Sequence, residues 1–199
     1  LLLILVFQAK TSRLAGGMPH IHCSYFEAGE QGDFVFCSII FLVVKKPSLL
    51  VLSLALPFIS GFVGSFFTVS SVNSWYTLLE KPSFSPPNWI FGPVWTTLYF
   101  LMGIALYLVW AKVSKVKSAL YAVKVFLAHL IINASWSFTF FGLKNPGLAL
   151  INILLLLGLI VYVINLFKKI DRRTEYLLLP YLAWVSFATI LNFFIWQLN

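Results

Sequence analysis

The residues of this chain best suited to bind a small molecule are its tryptophans, which gather around one proline-rich loop. Four of the seven tryptophans fall within residues 75–110, namely Trp75, Trp89, Trp95 and Trp110. An indole ring offers a broad apolar face and one N–H donor, so it can stack on a flat ring system and orient it. Residues 81–87 read Lys-Pro-Ser-Phe-Ser-Pro-Pro and lead into a long apolar segment. This rigid, aromatic loop indicates a lid over an apolar binding site.

The sequence lacks the residue patterns of the common enzyme and metal-site classes. It contains no glycine-rich phosphate loop, no Ser/His/Asp set and no paired carboxylates within an apolar segment. All six acidic residues lie outside the apolar segments or at their margins, which argues against a proton-coupled carrier because such carriers bury carboxylates. Cys23 and Cys37 lack metal-ligand spacing and are expected to be reduced thiols. We therefore expect no metal site and no required cofactor.

The composition indicates an integral membrane protein. Hydrophobic residues make up 60% of the 199 residues and charged residues only 10%, whereas soluble proteins carry about 25% charged residues. The formal net charge is +8, but the lysines and arginines lie in short loops beside apolar segments. That placement is typical of membrane topology rather than of a nucleic-acid-binding surface, so we expect the bilayer and not nucleic acid as a partner.

Five apolar segments are long enough to cross a bilayer as helices, which requires about 20 residues each. The short alternating segments typical of a barrel are absent, so helices are the remaining way to satisfy the backbone within lipid. We predict an all-α integral membrane protein, a bundle of five transmembrane helices. The predicted spans are 48–69, 88–111, 119–141, 146–167 and 176–197.

The basic residues support five crossings because they collect at one end of the bundle. Three loop groups share that end: Lys45 with Lys46, Lys112 with Lys115 and Lys117, and Lys168 with Lys169, Arg172 and Arg173. The loops at the other end carry only Lys81, which Glu80 offsets, and Lys144. In a plasma membrane this pattern would place the basic end in the cytoplasm.

Residues 1–47 stand apart from the five spans. They begin at Leu1 and contain two short apolar runs, separated by a polar stretch with Glu27, Glu30 and Asp33. We treat residues 1–47 as an N-terminal extension of unknown role and residues 48–199 as the membrane domain. A targeting segment, the tail of a signal sequence and a truncated gene model are the alternatives for the extension.

Three spans carry residues that point to the interior of the bundle. His129, Asn133 and Trp136 share one face of span three, and Trp184 lies about two turns inside span five. Polar side chains in membrane helices usually face other helices, so we expect His129 and Asn133 to form interhelical hydrogen bonds. The small residues around Gly64 on span one leave two interpretations open, tight helix packing or space for a ligand.

Short motifs along all five spans occur in one characteristic order. They are Trp75-Tyr76, Lys81 through Pro87, Gly92-Pro93-Val94-Trp95, Leu98-Tyr99, Met102-Gly103, Trp110, Asn133-Ala134-Ser135-Trp136, Phe140-Phe141-Gly142, Pro180 through Trp184, Ala188 and Leu191-Asn192. Together they make residues 48–199 resemble the translocator protein family, also called the tryptophan-rich sensory proteins or peripheral benzodiazepine receptors.

The resemblance implies a five-helix bundle, often a homodimer, with a pocket roofed by the loop between spans one and two. It implies a receptor or carrier for porphyrins and related apolar ring molecules, in the mitochondrial outer membrane of a eukaryote or the cell envelope of a bacterium. The lid would contain Trp75, Lys81, Pro82, Phe84, Pro86 and Pro87. The pocket would be lined by Ser65, Thr68, Phe91, Gly92, Val94, Trp95, Trp136, Leu148, Ile151, Leu155, Trp184, Ala188 and Leu191.

Two alternative functions accompany the same resemblance. Some bacterial relatives degrade protoporphyrin under light, and the positions implicated correspond to Trp95 and Trp184, which would then be the catalytic residues. Animal relatives carry a proposed sterol (cholesterol) motif near the C-terminus, and the stretch after Asn192 lacks its Tyr and its basic residue. Binding without turnover is the favoured interpretation, with a porphyrin-degrading enzyme and a sterol translocator as the alternatives.

Overall fold

The structure is a computed structural model and describes residues 46–199. The N-terminal extension and the two cysteines lie outside this range, so the predictions made for them stay predictions. The described range contains six α-helices: α1 Pro47–Val72, α2 Trp75–Leu78, α3 Phe91–Trp110, α4 Lys117–Ser137, α5 Pro146–Lys168 and α6 Arg173–Leu198. A 3-10 turn, Asn88–Ile90, leads into α3, and a π-helical turn, Phe138–Gly142, follows α4.

Five of these helices are long and apolar enough to cross a membrane, which confirms the predicted all-α membrane bundle. Counted with the 3-10 turn before α3 and the π-helical turn after α4, the five spans differ from the predicted ones by up to three residues, at the end of α1 and at the start of α6. The early start of α6 has a local cause. The Asp171 carboxylate accepts a hydrogen bond from the Arg173 backbone N–H at 3.1 Å, and the Thr174 hydroxyl donates to the Asp171 carbonyl at 2.7 Å. These bonds satisfy polar groups of the first turn and allow the helix to begin earlier.

The boundary between α4 and α5 combines a stop and a start. Lys144 adopts a positive φ of 52°, a conformation that ends a helical path. The Asn145 side chain then accepts a hydrogen bond from the Leu148 backbone N–H at 2.9 Å, and Pro146 occupies the first turn. An asparagine cap followed by proline is a favourable helix start because proline has no N–H to leave unpaired.

The π-helical turn after α4 was not predicted from the sequence. It is closed by the Leu143 N–H, which donates to the Phe138 carbonyl at 2.8 Å. The Ser71 hydroxyl of α1 donates to the Phe141 carbonyl at 2.9 Å and ties the turn to α1. Such turns change the direction of the side chains that follow. Here Phe140 and Phe141 both contact the ring of Tyr76 on α2, directly below the predicted lid.

The five long helices form a closed ring. Helix α1 packs against α3 and α4, α6 packs against α3 and α5, and α4 packs against α5. Large side chains that are almost completely buried fill the centre, including Met102, Phe126, Ile160, Phe167 and Tyr181. Helices α1 and α3 approach especially closely, since a Cβ atom on Gly103 would lie 2.8 Å from the Leu54 Cα atom. Small residues allow this crossing.

The two loops at the basic end are joined by one buried carboxylate. The Lys112 ammonium donates to Asp171 Oδ2 at 2.9 Å and to the Ile170 carbonyl at 3.0 Å. Arg173 donates to both carboxylate oxygens of Asp171, at 3.0 and 2.8 Å. The Arg173 guanidinium, together with the Lys112 ammonium, holds the pKa of Asp171 well below its usual range. Lys112 therefore links the α3–α4 loop to the α5–α6 loop through an ionised aspartate, which Arg173 holds from within its own segment.

We expect the substitution Asp171→Asn to lower the free energy of unfolding by about 1–2 kcal/mol at neutral pH, because the charge-assisted bonds are lost while both cations are partly exposed. A lowered pKa means that Asp171 stabilises the fold above its ordinary value of about 4 and less so as the pH falls below it. Thermal unfolding of the detergent-solubilised protein, followed by circular dichroism, should show that acid lowers the thermal stability of the variant less than that of the wild type. Parallel pH profiles would contradict the assignment.

Candidate ligand-binding site

The centre of the candidate site is an aromatic cluster that α3 and α6 build together. The rings of Phe91 and Trp184 meet edge to face, with centroids 5.7 Å apart. Trp95 stacks on Tyr99 at 5.3 Å and meets the ring of Tyr181 at 6.2 Å. The structure thus brings together the three aromatic residues predicted for the pocket from these two helices, Phe91, Trp95 and Trp184. All three are half-buried, so they offer ring surface to a bound molecule.

The indole N–H of Trp184 is buried and has no hydrogen-bond partner within residues 46–199. Trp136, another tryptophan predicted for the pocket, differs because its indole N–H donates a hydrogen bond to Asn192 Oδ1 at 3.1 Å. Asn192 is itself fixed, since its amide donates to the Pro146 carbonyl at 2.8 Å. Buried N–H groups in folded proteins are nearly always paired, so the Trp184 donor fits a site for an acceptor atom of a ligand.

A polar network lies beneath the aromatic cluster and anchors it. The Tyr181 hydroxyl accepts a hydrogen bond from the Asn133 amide at 2.9 Å and lies 2.9 Å from His129 Nε2. His129 Nδ1 faces the Phe126 carbonyl at 3.3 Å. A neutral imidazole with its proton on Nδ1 can therefore donate to that carbonyl and accept the Tyr181 hydroxyl proton at Nε2. His129 and Asn133 therefore bridge α4 to α6, as the sequence predicted, and they orient the tyrosine that contacts Trp95.

The loop between α1 and α3 covers one end of the bundle. Trp75 packs on Phe140 at 5.7 Å. Phe84 packs on Phe187 and Phe194 of α6 at 6.4 and 5.5 Å. These contacts connect the loop to the π-helical turn and to α6. The loop therefore lies over the end of α3 at which Phe91 contacts Trp184. We call residues 75–87 the lid, and that they roof a ligand pocket stays a prediction.

Two further contacts hold this lid. The Lys81 ammonium lies 4.5 Å from the centre of the Tyr76 ring, a cation–π contact, and burial raises the pKa of Tyr76, which stays neutral. The Asn199 side chain pairs with the Glu80 backbone in both directions: its oxygen accepts from the Glu80 N–H and its amide donates to the Glu80 carbonyl, each at 3.0 Å. We call this pair of hydrogen bonds the Asn199 clasp.

The remaining predicted pocket residues divide into two groups. Val94, Trp136, Ala188 and Leu191 pack against the same apolar clusters as the central aromatics. Gly92 follows Phe91 but is exposed, and no heavy atom of the described residues lies within 4 Å of the place where its Cβ atom would be, so its part in the pocket stays a prediction. The other group is not brought to this cluster. Thr68 donates to its own helix, at the Gly64 carbonyl, and Ser65, Leu148, Ile151 and Leu155 are exposed. That these five line the same pocket stays a prediction.

The lid residues predicted from the sequence differ in what they contact. Trp75, Lys81 and Phe84 make the aromatic and cation–π contacts described above. Pro82 accepts a hydrogen bond from the Ser85 N–H at 2.9 Å, and Pro87 accepts one from the Ile90 N–H at 3.1 Å. The prolines thus shape two tight turns that set the path of the lid. Pro86, half-buried between these turns, adds rigidity to the same path.

The small residues of α1 serve helix packing. A Cβ atom on Gly64 would lie 3.0 Å from Ser137 Oγ, so α4 occupies the space that a ligand would need. A Cβ atom on Gly61 would overlap the Tyr99 ring, at 2.7 Å from its Cζ atom. Of the two interpretations left open for this stretch, tight packing therefore applies at Gly64 and Gly61.

Sequence reasoning missed three residues that matter to this site. Phe187 contacts both Trp184 and Phe84 and so connects the pocket to the lid. Its spacing of three residues after Trp184 was a usable signal, because side chains at i and i+3 share a helix face. Tyr99 supports Trp95, and Asn199 holds the lid. Nothing in the local sequence around Asn199 reveals a contact with a residue 119 positions away.

Comparison with known proteins places these helices in a recognised group. The sequence model of the TspO/MBR family matches residues 53–197, a range that includes every predicted pocket and lid residue. The matched range extends from α1 almost to the end of α6.

Individual relatives agree with the family match. The tryptophan-rich protein TspO of Archaeoglobus fulgidus is 46% identical over 144 residues, which are 70% of this chain and 89% of that protein. The tryptophan-rich protein TspO of Chlorobaculum tepidum is 43% identical over 155 residues, 78% of this chain and 98% of that protein. The human translocator protein is 38% identical over 144 residues, 72% of this chain and 85% of that protein.

Proposed function

Because this chain belongs to the TspO/MBR family, we propose that it is a membrane receptor or carrier that binds porphyrins and related flat, apolar ring molecules. The observation that carries the proposal is the buried Trp184 N–H beside the Phe91 ring, which has no hydrogen-bond partner within residues 46–199. An unpaired buried donor costs about 1–3 kcal/mol, and an acceptor on a bound ligand would remove that cost. The names of two relatives, translocator protein and tryptophan-rich sensory protein, support a role in transport or sensing.

A porphyrin matches the two chemical properties of this site. Its macrocycle is flat and apolar, so it would pack against the rings of Phe91, Trp95 and Trp184. Its carboxylate side chains are acceptors, and one of them would receive the Trp184 N–H. The open space at Gly92 leaves room for the edge of the ring. Few polar groups among mostly apolar walls is the usual form of a small-molecule site.

Titration with protoporphyrin, followed by quenching of tryptophan fluorescence, tests this function. We expect saturable quenching for the detergent-solubilised wild type and about tenfold weaker binding for Trp184→Phe, which keeps an aromatic ring but loses the donor. The matched control is Trp110→Phe on the same bundle, because Trp110 is not part of the aromatic cluster around Trp184. Linear quenching that both variants leave unchanged would mean partitioning into detergent and would remove the porphyrin assignment.

The same samples decide between binding and turnover. Illumination of the porphyrin-bound wild type should leave the porphyrin absorption spectrum unchanged relative to a dark control if the protein only binds its ligand. Loss of the porphyrin spectrum that depends on both light and Trp95 would favour the enzyme alternative. The comparison should include Trp95→Phe, which keeps the stacking surface against Tyr99 and removes the indole.

We propose the mitochondrial outer membrane as the site of a eukaryotic protein of this kind and the cell envelope as the site of a bacterial one. The support is the membrane bundle itself together with the family membership. Fractionation of cells that express the tagged full chain tests this directly, and recovery from another membrane would overturn it.

A further inference from the structure

We propose that the outward-facing groove between α4 and α5, near the basic end, binds the phosphate headgroup of an anionic phospholipid. The groove carries four exposed polar side chains, Tyr121 and Lys124 on α4 and Tyr162 and Asn165 on α5. Both helices cross the membrane, so this face meets lipid. Polar and charged side chains on such a face are expensive in hydrocarbon and need a polar partner.

The two tyrosines fix the position of the groove. The Tyr121 and Tyr162 hydroxyls lie 3.0 Å apart and form one hydrogen bond between the helices. Only one of the two hydroxyl protons is used in that bond, and neither hydroxyl makes another hydrogen bond within residues 46–199. One O–H donor is therefore left for an acceptor from outside the described residues.

Lys124 lies on the same face as Tyr121, since residues three apart are neighbours on a helix surface. It is seven residues into a span that begins at Lys117, or about 10 Å along the helix axis. Side chains tilt toward the N-terminus of their helix, and the N-terminus of α4 is at the basic end. The Lys124 ammonium can therefore extend back toward the tyrosine hydroxyls and the basic end, the side from which a lipid phosphate would approach.

Within the described residues, the two helices of the groove offer donors without a competing acid. An ammonium, a hydroxyl proton and the Asn165 amide are all donors, and a phosphodiester supplies several acceptor oxygens. The three ion pairs of the described range use Lys112, Lys168 and Arg173, so Lys124 makes none there. Helices α4 and α5 contain no Asp or Glu between Lys117 and Lys168.

The positive charge of Lys124 also favours a lipid over a second copy of the chain as the occupant of the groove. A two-fold interface through this groove would place the same surface patch on both sides. Lys124 of one copy would then approach Lys124 of the other, with no carboxylate from α4 or α5 to offset the repulsion. An anionic headgroup, in contrast, matches the groove and the exposed cations at its basic end, Lys117 and Lys169.

Native mass spectrometry of the detergent-solubilised full chain tests the proposal by counting bound phosphatidylglycerol against phosphatidylcholine. We expect the wild type to retain phosphatidylglycerol, and the double substitution Lys124→Gln with Tyr162→Phe to weaken that binding about tenfold, since a charge-assisted bond and a hydroxyl donor are lost. Lys124→Arg should keep the preference. The matched control is Lys115→Gln, which removes the same charge from an exposed loop residue that makes no ion pair with the part of the chain the structure describes.

Three results would overturn the proposal. An equal loss of bound phosphatidylglycerol in Lys115→Gln and in the groove variant would mean that anionic lipid is attracted to the basic end in general. Retention of phosphatidylglycerol by the groove variant would show that the groove is not the site. A change in oligomeric mass without a change in lipid retention would identify the face as an interface between copies. Circular dichroism of each variant confirms that the bundle is folded.

Discussion

Replacing Gly103 with valine should destabilise the bundle more than any other single change considered for this protein. A Cβ atom at residue 103 would lie 2.7 Å from Leu54 Cδ2, 2.8 Å from Leu54 Cα and 3.1 Å from the Ser53 carbonyl oxygen. The first contact could be relieved by a rotamer change, but the other two involve the backbone of α1. The helices would have to separate, and overpacking of this kind costs about 3 kcal/mol or more. Thermal unfolding followed by circular dichroism measures the loss.

The chain supplies a matched control for this experiment. Gly158 is also a glycine within a membrane helix, on α5, but a Cβ atom there would meet no heavy atom of residues 46–199 within 4 Å. The change Gly158→Val alters helix propensity in the same way and should leave the free energy of unfolding within about 0.5 kcal/mol of wild type. If both valine variants unfold alike, the cost lies in helix propensity rather than in the crossing of α1 and α3.

Removing the Tyr181 hydroxyl should produce the second largest effect. Tyr181→Phe keeps the ring against Trp95 but leaves the Asn133 amide and the His129 ring without their shared partner. Interhelical hydrogen bonds in membrane proteins average about 0.6 kcal/mol, and a buried group left unpaired costs about 1–3 kcal/mol. Since two buried groups are affected at once, we expect a loss of about 2 kcal/mol in unfolding free energy.

The substitution should also change ligand binding, because the network orients Tyr181 beneath Trp95. Protoporphyrin affinity measured by fluorescence quenching is expected to fall severalfold. Tyr107→Phe is the control: Tyr107 is a half-buried tyrosine on α3 whose hydroxyl makes no hydrogen bond within the described residues. Unfolding midpoints that are equal for the two phenylalanine variants would show that the network contributes nothing measurable.

The helices themselves were predictable because their signal is local and large. Each span is a long apolar run, and the breaks between runs carry charges, prolines or glycines, as at Asn145-Pro146. Boundaries moved where polar side chains bond to nearby backbone, as Asp171 does at the start of α6. The π-helical turn escaped prediction because it depends on a contact with Ser71 of another helix.

The candidate site was predictable only in part, for a related reason. The tryptophans and the proline-rich lid can be recognised from residue type, and the family resemblance assigned them to one end of the bundle. Which donor is satisfied cannot be read from a sequence: Trp136 and Trp184 are both tryptophans, yet Asn192 pairs with the first and no residue of the described range pairs with the second. That difference arises from helix rotation and packing.

The Asn199 clasp has a consequence for the order in which the protein is assembled. The lid residue Glu80 is synthesised 119 residues before the side chain that fixes it, and four membrane crossings lie between them. The aromatic contacts of Phe84 likewise await the last helix, since both of their partners are on α6. Until α6 is inserted, the contact of Trp75 with Phe140 can hold the lid, but the contacts of Glu80 and Phe84 cannot form. Ligand capture would begin only after the final helix has entered the bilayer.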